Sequence, residues 1–184
     1  KHEKGMLFRL DYETSGILIF FKNEDHYVHY RNNYANFAIL KNYLCIVEGH
    51  FQNPGHFEYH FTPQGKKGHK MLATDCKNQA NPKGQKGMMD IQFLEFNSEN
   101  NSTLLSIKLK TGLRHQIRSQ LQALGHPIIG DPLYEGRPFE RLLLHHRKII
   151  LQKNGSEQIE FTDDSFEKKY LPLFHFDQGI TSLT

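Results

Sequence analysis

Apolar and polar positions alternate along much of this chain, a pattern that predicts many short strands and few helices. A continuous apolar run, ILIFF at residues 17–21, predicts a buried strand. Two further segments, KNYLCIV at 41–47 and FEYHFT at 57–62, also predict strands. Residues 88–97 and 103–110 predict a hairpin, because the polar loop SENNS separates them. The remaining predicted strands are residues 71–75, 142–151 and 158–161.

Two segments predict helices. Residues 24–40 contain neither Gly nor Pro, and Asn23 is a suitable N-cap for them. Residues 113–124 carry an apolar stripe at helical spacing, and Gly125 is a typical residue to end such a helix. Residues 78–87 are polar and contain Gly and Pro, which predicts a loop. The pattern as a whole predicts a strand-rich α+β domain with few helices.

The composition is that of an ordinary globular protein. The chain has 184 residues, 38% hydrophobic and 23% charged, which suits one domain over residues 1–184. It has no run of about 18 apolar residues and no visible signal peptide, so no membrane span is expected. Cys45 and Cys76 form no CxxC motif, which favours reduced thiols in a cytoplasmic protein. The histidines and cysteines have no zinc-finger spacing, so no metal is expected.

Charge is distributed unevenly, although the net charge is only +3. Residues 66–86 contain six lysines and a single acid, whereas residues 157–167 contain five acids and no base. A basic segment beside an acidic one indicates an anionic partner that is met on one side. A solvated, lysine-rich loop explains the same pattern equally well.

Several charged or aromatic residues have a structural and a functional interpretation. Arg114 and Arg118 are four residues apart and share one face of the predicted helix. Because the start of a helix favours anions, these arginines pair with a carboxylate, bind a phosphate or lie on the surface. Asp11 precedes the apolar run, where it either caps the following turn or belongs to an active site. Tyr43 either packs in the core or stacks on a base.

Four stretches, taken in order, resemble the motifs of a known family. They are RLDYETSGILIFFK at 9–22, KNYLCIVEG at 41–49, LKTGLRHQIRSQLQALGHPIIGDPLYEG at 109–136 and RLLLHHRKI at 141–149. They are similar to H-R-L-D-x-x-T-S-G-L-L-L, K-x-Y-x-x-x-V-x-G, G-R-x-H-Q-I-R-x-H-L with G-H-P-I-x-G-D-x-x-Y, and L-H-A in pseudouridine synthases of the RluA/RsuA type. The resemblance implies a mixed, mainly antiparallel sheet core of that family.

The resemblance also implies an activity and a set of site residues. Enzymes of this type flip a uridine out of RNA and re-join its base to the sugar through carbon, without a cofactor. Asp11 corresponds to the catalytic aspartate, which acts as nucleophile or as base on the sugar. Tyr43 corresponds to the tyrosine that packs on the target base, and Arg118 to the arginine that pairs with the aspartate. The expected substrate-binding residues are Phe8, Arg9, Arg114, His115 and Leu144. The expected contacts to the RNA backbone are Lys66, Lys67 and Lys70.

The chain departs from the family pattern at several positions. Phe8 replaces the usual His, Leu113 replaces the first Arg of G-R, and Gln120 replaces a His. The family's N-terminal strands and an S4 domain are expected to be missing, so the domain is expected to be truncated at its start. The first hypothesis is an RNA pseudouridine synthase that acts on ribosomal or transfer RNA, with no protein partner inferred. The alternatives are a non-catalytic RNA-binding relative and an unrelated phosphate-binding α+β domain.

Overall fold

One eight-stranded sheet organises the chain in the computed structural model, which describes residues 5–33, 37–78, 84–152 and 157–177. The strands are β1 (Ser15–Gly16), β2 (Ala38–Glu48), β3 (Gly55–Gln64), β4 (Lys70–Asp75), β5 (Gln85–Asn97), β6 (Ser102–Leu109), β7 (Leu144–Gln152) and β8 (Gln158–Thr162). The helices are α1 (Glu24–Asn32), α2 (Gln116–Ala123) and α3 (Ser165–Tyr170). Within the described residues, no helix is both long and apolar enough to cross a membrane.

The sheet has the order β1-β7-β2-β6-β5-β3-β4, and β8 pairs with β7. All the strand pairs are antiparallel except β1 with β7, where Ser15 faces His145 in parallel register. The prediction of a mixed, mainly antiparallel α+β fold is therefore confirmed. The predicted hairpin is also confirmed, since β5 and β6 pair from Met89–Leu109 to Asn97–Ser102.

The core lies around β2, whose residues 41–47 are buried along their whole length. The main apolar cluster joins this strand and β6 to Ile117 and Leu121 of α2 and to Phe166 of α3. A second cluster packs Leu113 and Leu124, which flank α2 on its two sides in sequence, against β3 and β4. Helix α2 is thereby fixed in position over the sheet, and this position determines where its polar side chains point.

The prediction of a buried strand at residues 17–21 is wrong. The strand β1 is only two residues long, and Leu18 and Phe20 are 40% and 57% exposed. The segment is extended, so alternate side chains point to opposite sides. Ile17, Ile19 and Phe21 pack on a small cluster that includes Leu7 and Ile149, while the other two face solvent. A run of apolar letters did not distinguish a half-buried extended segment from a fully buried strand.

Both helices are shorter than predicted. Asn23 caps α1 as expected, because its side chain accepts hydrogen bonds from the N–H groups of Asp25 and His26. The helix ends at Asn32, however, and residues 38–40 belong to β2, where pairing with β7 replaces helical hydrogen bonds. Residues 34–36, and residues 79–83 of the predicted loop at 78–87, lie outside the described residues.

Helix α2 begins three residues later than predicted. His115 has a left-handed backbone with φ 51°, which prevents the helix from starting before Gln116. The Gln116 side chain accepts hydrogen bonds from Leu113 N–H at 3.2 Å and from Thr111 Oγ1 at 2.8 Å, and these hold the preceding residues in a loop. The prediction that Gly125 ends this helix is confirmed, since Gly125 has φ 82°. Arg114 therefore lies outside the helix, and the prediction that it shares a helical face with Arg118 is wrong.

Candidate active site

A cavity of about 630 Å³ opens between the segment 7–14, strand β2 and the loop that leads into α2. Its volume is within the range of small-molecule and nucleoside sites. Eight of the residues predicted from the sequence line it: Phe8, Arg9, Asp11, Tyr43, Arg114, His115, Arg118 and Leu144. These residues come from four separate parts of the chain, and the fold brings them to one cavity.

Asp11 is the first residue of a tight turn, in which Thr14 N–H donates to the Asp11 carbonyl oxygen at 3.0 Å. Its side chain is 22% exposed, so the carboxylate reaches the cavity without being fully buried. The turn is held by β1, which lies directly beside β7. Gly16 has φ 108°, and a side chain there would collide with the His146 backbone, so the Thr-Ser-Gly sequence allows this close approach.

Arg118 is the buried cation of the site, with a side chain only 4% exposed. Its Nε and one terminal nitrogen donate to both oxygens of Asp131, at 2.7 and 2.8 Å. The same terminal nitrogen lies 3.1 Å from Glu13 Oε2, and the other lies 3.5 Å from Asp11 Oδ2. Burial by itself lowers the pKa of Arg118, but the hydrogen bonds and charge of Asp131 reverse this and raise it above its usual value.

Asp131 therefore makes the shortest contacts with the Arg118 guanidinium, and Asp11 contacts only the remaining terminal nitrogen. Asp131 is fully buried, and it also accepts the N–H groups of Leu133 and Tyr134 at 3.0 and 3.1 Å. A bidentate pair of this kind fixes the orientation of the arginine plane. The predicted contact between Arg118 and Asp11 is present at 3.5 Å, and it is the longest of the three.

Tyr43 lies on β2 with 6% exposure, and its ring stacks on the His146 ring at 4.5 Å with an interplanar angle of 19°. His146 Nδ1 donates to the Ile17 carbonyl oxygen at 2.8 Å. Burial lowers the pKa of His146 to about 4, so this imidazole is neutral at pH 7. Because one face of the Tyr43 ring is covered, a base in the cavity has access only to the opposite face or the edge. Leu144, on the neighbouring β7, supplies apolar lining.

His115 closes the cavity beside Arg118. Its Nδ1 is 3.0 Å from the hydroxyl oxygen of Tyr134, which also accepts the Met71 N–H at 2.8 Å. Because that hydroxyl accepts one bond, its own proton is available for the imidazole nitrogen. Burial lowers the pKa of His115, so the ring is neutral at pH 7. His115 therefore contributes a hydrogen-bonding edge rather than a positive charge.

Lys41 is a further cation in the cavity and was not predicted as a site residue. It is 7% exposed, it lines the cavity on the same strand as Tyr43, and burial lowers its pKa from 10.5 to about 8. The sequence did indicate this position, because Lys41 and Tyr43 are two residues apart on a strand and such residues share one face. Asp131 was likewise unassigned, although it lies in the quoted GDPLY stretch and a buried arginine requires a carboxylate.

Of the predicted phosphate-binding residues, Arg114 lines the cavity, whereas Lys66, Lys67 and Lys70 lie between the end of β3 and the start of β4, outside its lining. Arg114 is exposed and donates to the carbonyl oxygens of Gly68 and Lys70, which ties the cavity to the turn that carries the lysines. Lys66 and Lys67 are exposed on that turn and do not line the cavity. Lys70 is half-buried, with Nζ 5.8 Å from the centre of the Tyr134 ring.

Phe8 and Arg9 form part of the opposite rim. Phe8 is half-buried, and its ring meets the His146 ring edge-on at 5.4 Å. Arg9 is exposed at the cavity, as a phosphate contact requires. Within the described ranges, no group of three or more His, Cys, Asp or Glu side chains is placed to hold a metal ion.

Comparisons with known proteins identify the family. A family model described as RNA pseudouridylate synthase matches residues 3–123. An uncharacterized RNA pseudouridine synthase of Helicobacter pylori strain J99 is 34% identical over 150 residues, which cover 80% of this chain and 58% of the relative. A Zymomonas mobilis protein named ribosomal large subunit pseudouridine synthase D is 26% identical over 169 residues, covering 85% and 51%.

A solved structure agrees with these sequence matches. The human RNA pseudouridylate synthase domain containing 1 superposes with a TM-score of 0.70 and 25% identity, over 86% of this chain and 67% of that one. This chain belongs to the RNA pseudouridylate synthase family, as the four motifs indicated. It spans little more than half the length of the curated relatives that it matches.

Proposed function

We propose that this chain is an RNA pseudouridine synthase in which Asp11 is the catalytic residue. The observation that carries the proposal is the Asp11 carboxylate at a cavity of about 630 Å³, within 3.5 Å of a buried arginine. A cavity of this size accepts a flipped-out nucleoside, and the carboxylate is accessible to its sugar. Arg118, held by Asp131, keeps a positive charge beside the carboxylate and limits its rotation.

The reaction converts a uridine into its isomer. The bond between uracil N1 and ribose C1′ breaks, the base turns, and C5 bonds to C1′. The C5 proton passes to solvent and N1 gains a proton, so atoms and electrons balance without a cofactor. Asp11 acts on the sugar as nucleophile or as base. Tyr43 packs beside the base and is the candidate acceptor of the C5 proton, and Leu144 supplies an apolar wall.

The proposed substrate is a specific uridine in ribosomal or transfer RNA. The name of the Zymomonas mobilis relative, a ribosomal large subunit enzyme, supports the ribosomal alternative. Arg9 and Arg114 lie at the rim of the cavity, where the phosphates beside a flipped nucleotide would pass. Lys66 and Lys67, on the exposed turn next to Arg114, extend this basic rim and favour a polyanionic partner.

Tritium release tests the activity directly. Transcripts of ribosomal and transfer RNA, labelled with tritium at uridine C5, are incubated with the wild type, Asp11→Asn and Asp90→Asn. Asp90 is the matched control, because it is an aspartate on β5 outside the cavity. The wild type and the control are expected to release tritium, and Asp11→Asn to remain at background.

Each of the other outcomes has a definite meaning. Release by Asp11→Asn at the wild-type rate removes Asp11 from the chemistry. Intact RNA binding without release from any transcript favours a non-catalytic RNA-binding relative. Mapping of pseudouridine in total RNA, from cells with and without the gene, then identifies the RNA and the position.

A further inference from the structure

A second cavity adjoins the candidate active site and has no assigned role. It measures about 660 Å³, and Tyr12 and Thr14 line both cavities. Tyr12 occupies the tip of the turn that begins at Asp11, between the two cavities. Its side chain is fully exposed, at 103% of the reference area. An aromatic ring exposed on both faces at such a position has apolar area available for a ligand.

The walls of the second cavity are already formed. The Phe139 ring lies 5.4 Å from the Phe174 ring and 6.3 Å from the Tyr170 ring, so it is supported from behind. Gly130 and Gly136 pack so closely against neighbouring backbone that no side chain fits at either position. The cavity therefore has a firm backbone floor on one side and the exposed Tyr12 ring on the other.

The charges of this cavity suit a nucleotide. Arg141 donates to the Glu13 carbonyl oxygen at 3.4 Å and lies 5.6 Å from the Tyr170 ring centre. Two acids line this cavity. Glu140 pairs with Lys169 at 3.0 Å and accepts the Tyr170 hydroxyl at 3.1 Å, and Glu13 lies 3.1 Å from the buried Arg118 guanidinium. Both acids therefore have a cationic partner, while the Arg141 cation remains at the cavity.

We propose that the second cavity binds the base of the nucleotide next to the target uridine, with Tyr12 as its stacking platform. This inference rests on the proposed function. Flipping the target out of the strand removes the stacking partner of its neighbour, whose exposed face then needs a new one. Asp11 and Tyr12 are adjacent, with Cα atoms about 3.8 Å apart, so a base on Tyr12 stays close to a nucleotide at Asp11. Tyr12 would then be a determinant of which flanking base is preferred.

Binding of short RNAs tests the proposal independently of catalysis. The probes are the pentamer AAUAA, whose single uridine sets the register, and two versions with an abasic ribose on the 5′ or 3′ side of that uridine. Affinities are measured by fluorescence anisotropy at low salt for the wild type, Tyr12→Ala and Tyr12→Phe. Tyr12→Ala is expected to weaken binding of the intact pentamer by about 5- to 150-fold, the usual effect of losing one base stack. Tyr12→Phe keeps the ring and is expected to stay within about twofold of the wild type.

The abasic probes show whether the ring acts through the flanking base. One of them is expected to bind the wild type as weakly as the intact pentamer binds Tyr12→Ala, and to show no further loss with that variant. Phe20→Ala is the control, because Phe20 is an exposed aromatic residue that lines neither cavity. Wild-type affinity in Tyr12→Ala overturns the proposal, as does an equal loss on the intact and both abasic probes or undetectable wild-type binding.

Tritium release by the wild type separates the two claims. If the wild type releases tritium, but the loss in Tyr12→Ala does not depend on a flanking base, the proposed binding of that base by Tyr12 is wrong and the proposed activity stands. If coupling is found without tritium release, the subsite is supported and the activity is wrong. A thermal melt of Tyr12→Ala that matches the wild type shows that a fully exposed side chain was removed without damage to the fold.

Discussion

Two groups of ion pairs in this chain use similar side chains in opposite surroundings. Arg118 and Asp131 meet beneath the candidate active site with exposures of 4% and 0%. On the outer face of β3 and β5, Lys86 pairs with Glu58 at 2.9 Å, with exposures of 48% and 37%. The distances in the two groups are similar, but only the first pair is removed from water.

The difference shows where charge determines structure in this protein. An exposed pair exchanges contacts with water for contacts with each other at little net gain, and salt screens it. A buried pair has lost its hydration, so each partner depends on the other for its hydrogen bonds. The buried pair therefore fixes the geometry of the candidate active site. On the outer face, the hydrogen bonds between the strands set the geometry, and the surface pairs do not.

The largest expected effect follows removal of Arg118. Arg118→Ala leaves Asp131 buried without its cation, and we expect the free energy of unfolding to fall by about 3–5 kcal/mol. Urea denaturation measures the loss, and tritium release from labelled RNA should disappear in the same variant. A double variant, Arg118→Met with Asp131→Asn, removes both charges and keeps a side-chain oxygen for the N–H groups of Leu133 and Tyr134. It should recover much of the stability but none of the activity. An unchanged urea midpoint in Arg118→Ala contradicts a buried pair.

A smaller effect is expected at Lys41, whose lowered pKa makes stability depend on pH. Between pH 8 and 10.5 the folded protein has lost this proton and the unfolded chain still holds it, so stability rises with pH in that window. The full gain is up to about 3 kcal/mol. Lys41→Met should be more stable than the wild type at pH 7 and should lack this rise. Lys110→Met, at a lysine 49% exposed, is the control and should keep it. Parallel pH profiles for the wild type and Lys41→Met would show that Lys41 is not desolvated.

A third prediction concerns the exposed lysines beside the site. RNA affinity should fall steeply between about 50 and 200 mM salt, and Lys66→Ala with Lys67→Ala should reduce the slope of log K against log salt by about 1.4 for single-stranded RNA. Lys86→Ala is the control, since that ammonium is already paired with Glu58. A salt titration that is flat for the wild type, or identical in the double variant, excludes these lysines as phosphate contacts.

The smallest effect is expected at the outer pairs of the sheet. Glu58→Gln removes one charge of the Lys86 pair and of a 3.5 Å contact with His56. Because these groups are exposed to water, the midpoint of thermal unfolding should not change measurably. A clear fall in the midpoint would mean that surface pairs also stabilise this sheet, and the contrast with Arg118 would be lost.

Local patterns predicted the strands of the sheet better than its helices. The segment at 41–47 was recognised because Tyr43 to Val47 form an apolar run that suits a strand, and the hairpin of β5 and β6 because its loop is polar. The start of α2 was missed because the Gln116 side chain bonds back to Thr111 and Leu113. That competition between a side chain and the helical backbone has no periodic signature.

The residues of the candidate site were likewise predicted only in part from the sequence. The motif resemblance selected Asp11, Tyr43 and Arg118 as site residues, and the fold places all three at one cavity, while their catalytic roles remain predictions. Asp131, the main partner of Arg118, was not selected. The cavity that Tyr12 shares was not expected either, because it depends on residues 130–142 folding back against the Asp11 turn.

The sequence by itself determined the family and most of the strands along the chain, and its motifs selected Asp11 and Arg118 as candidate site residues. These depend on local spacing and on motif residues that are readable one after another. Only the tertiary structure decided that Asp131 orients Arg118, that Lys41 is buried and that two cavities meet at Tyr12. Each of these properties is a matter of burial and of contacts between distant parts of the chain, such as the 107 residues that separate Asp11 from Arg118. Burial changes the free energy of a charge, and burial exists only once the chain has folded.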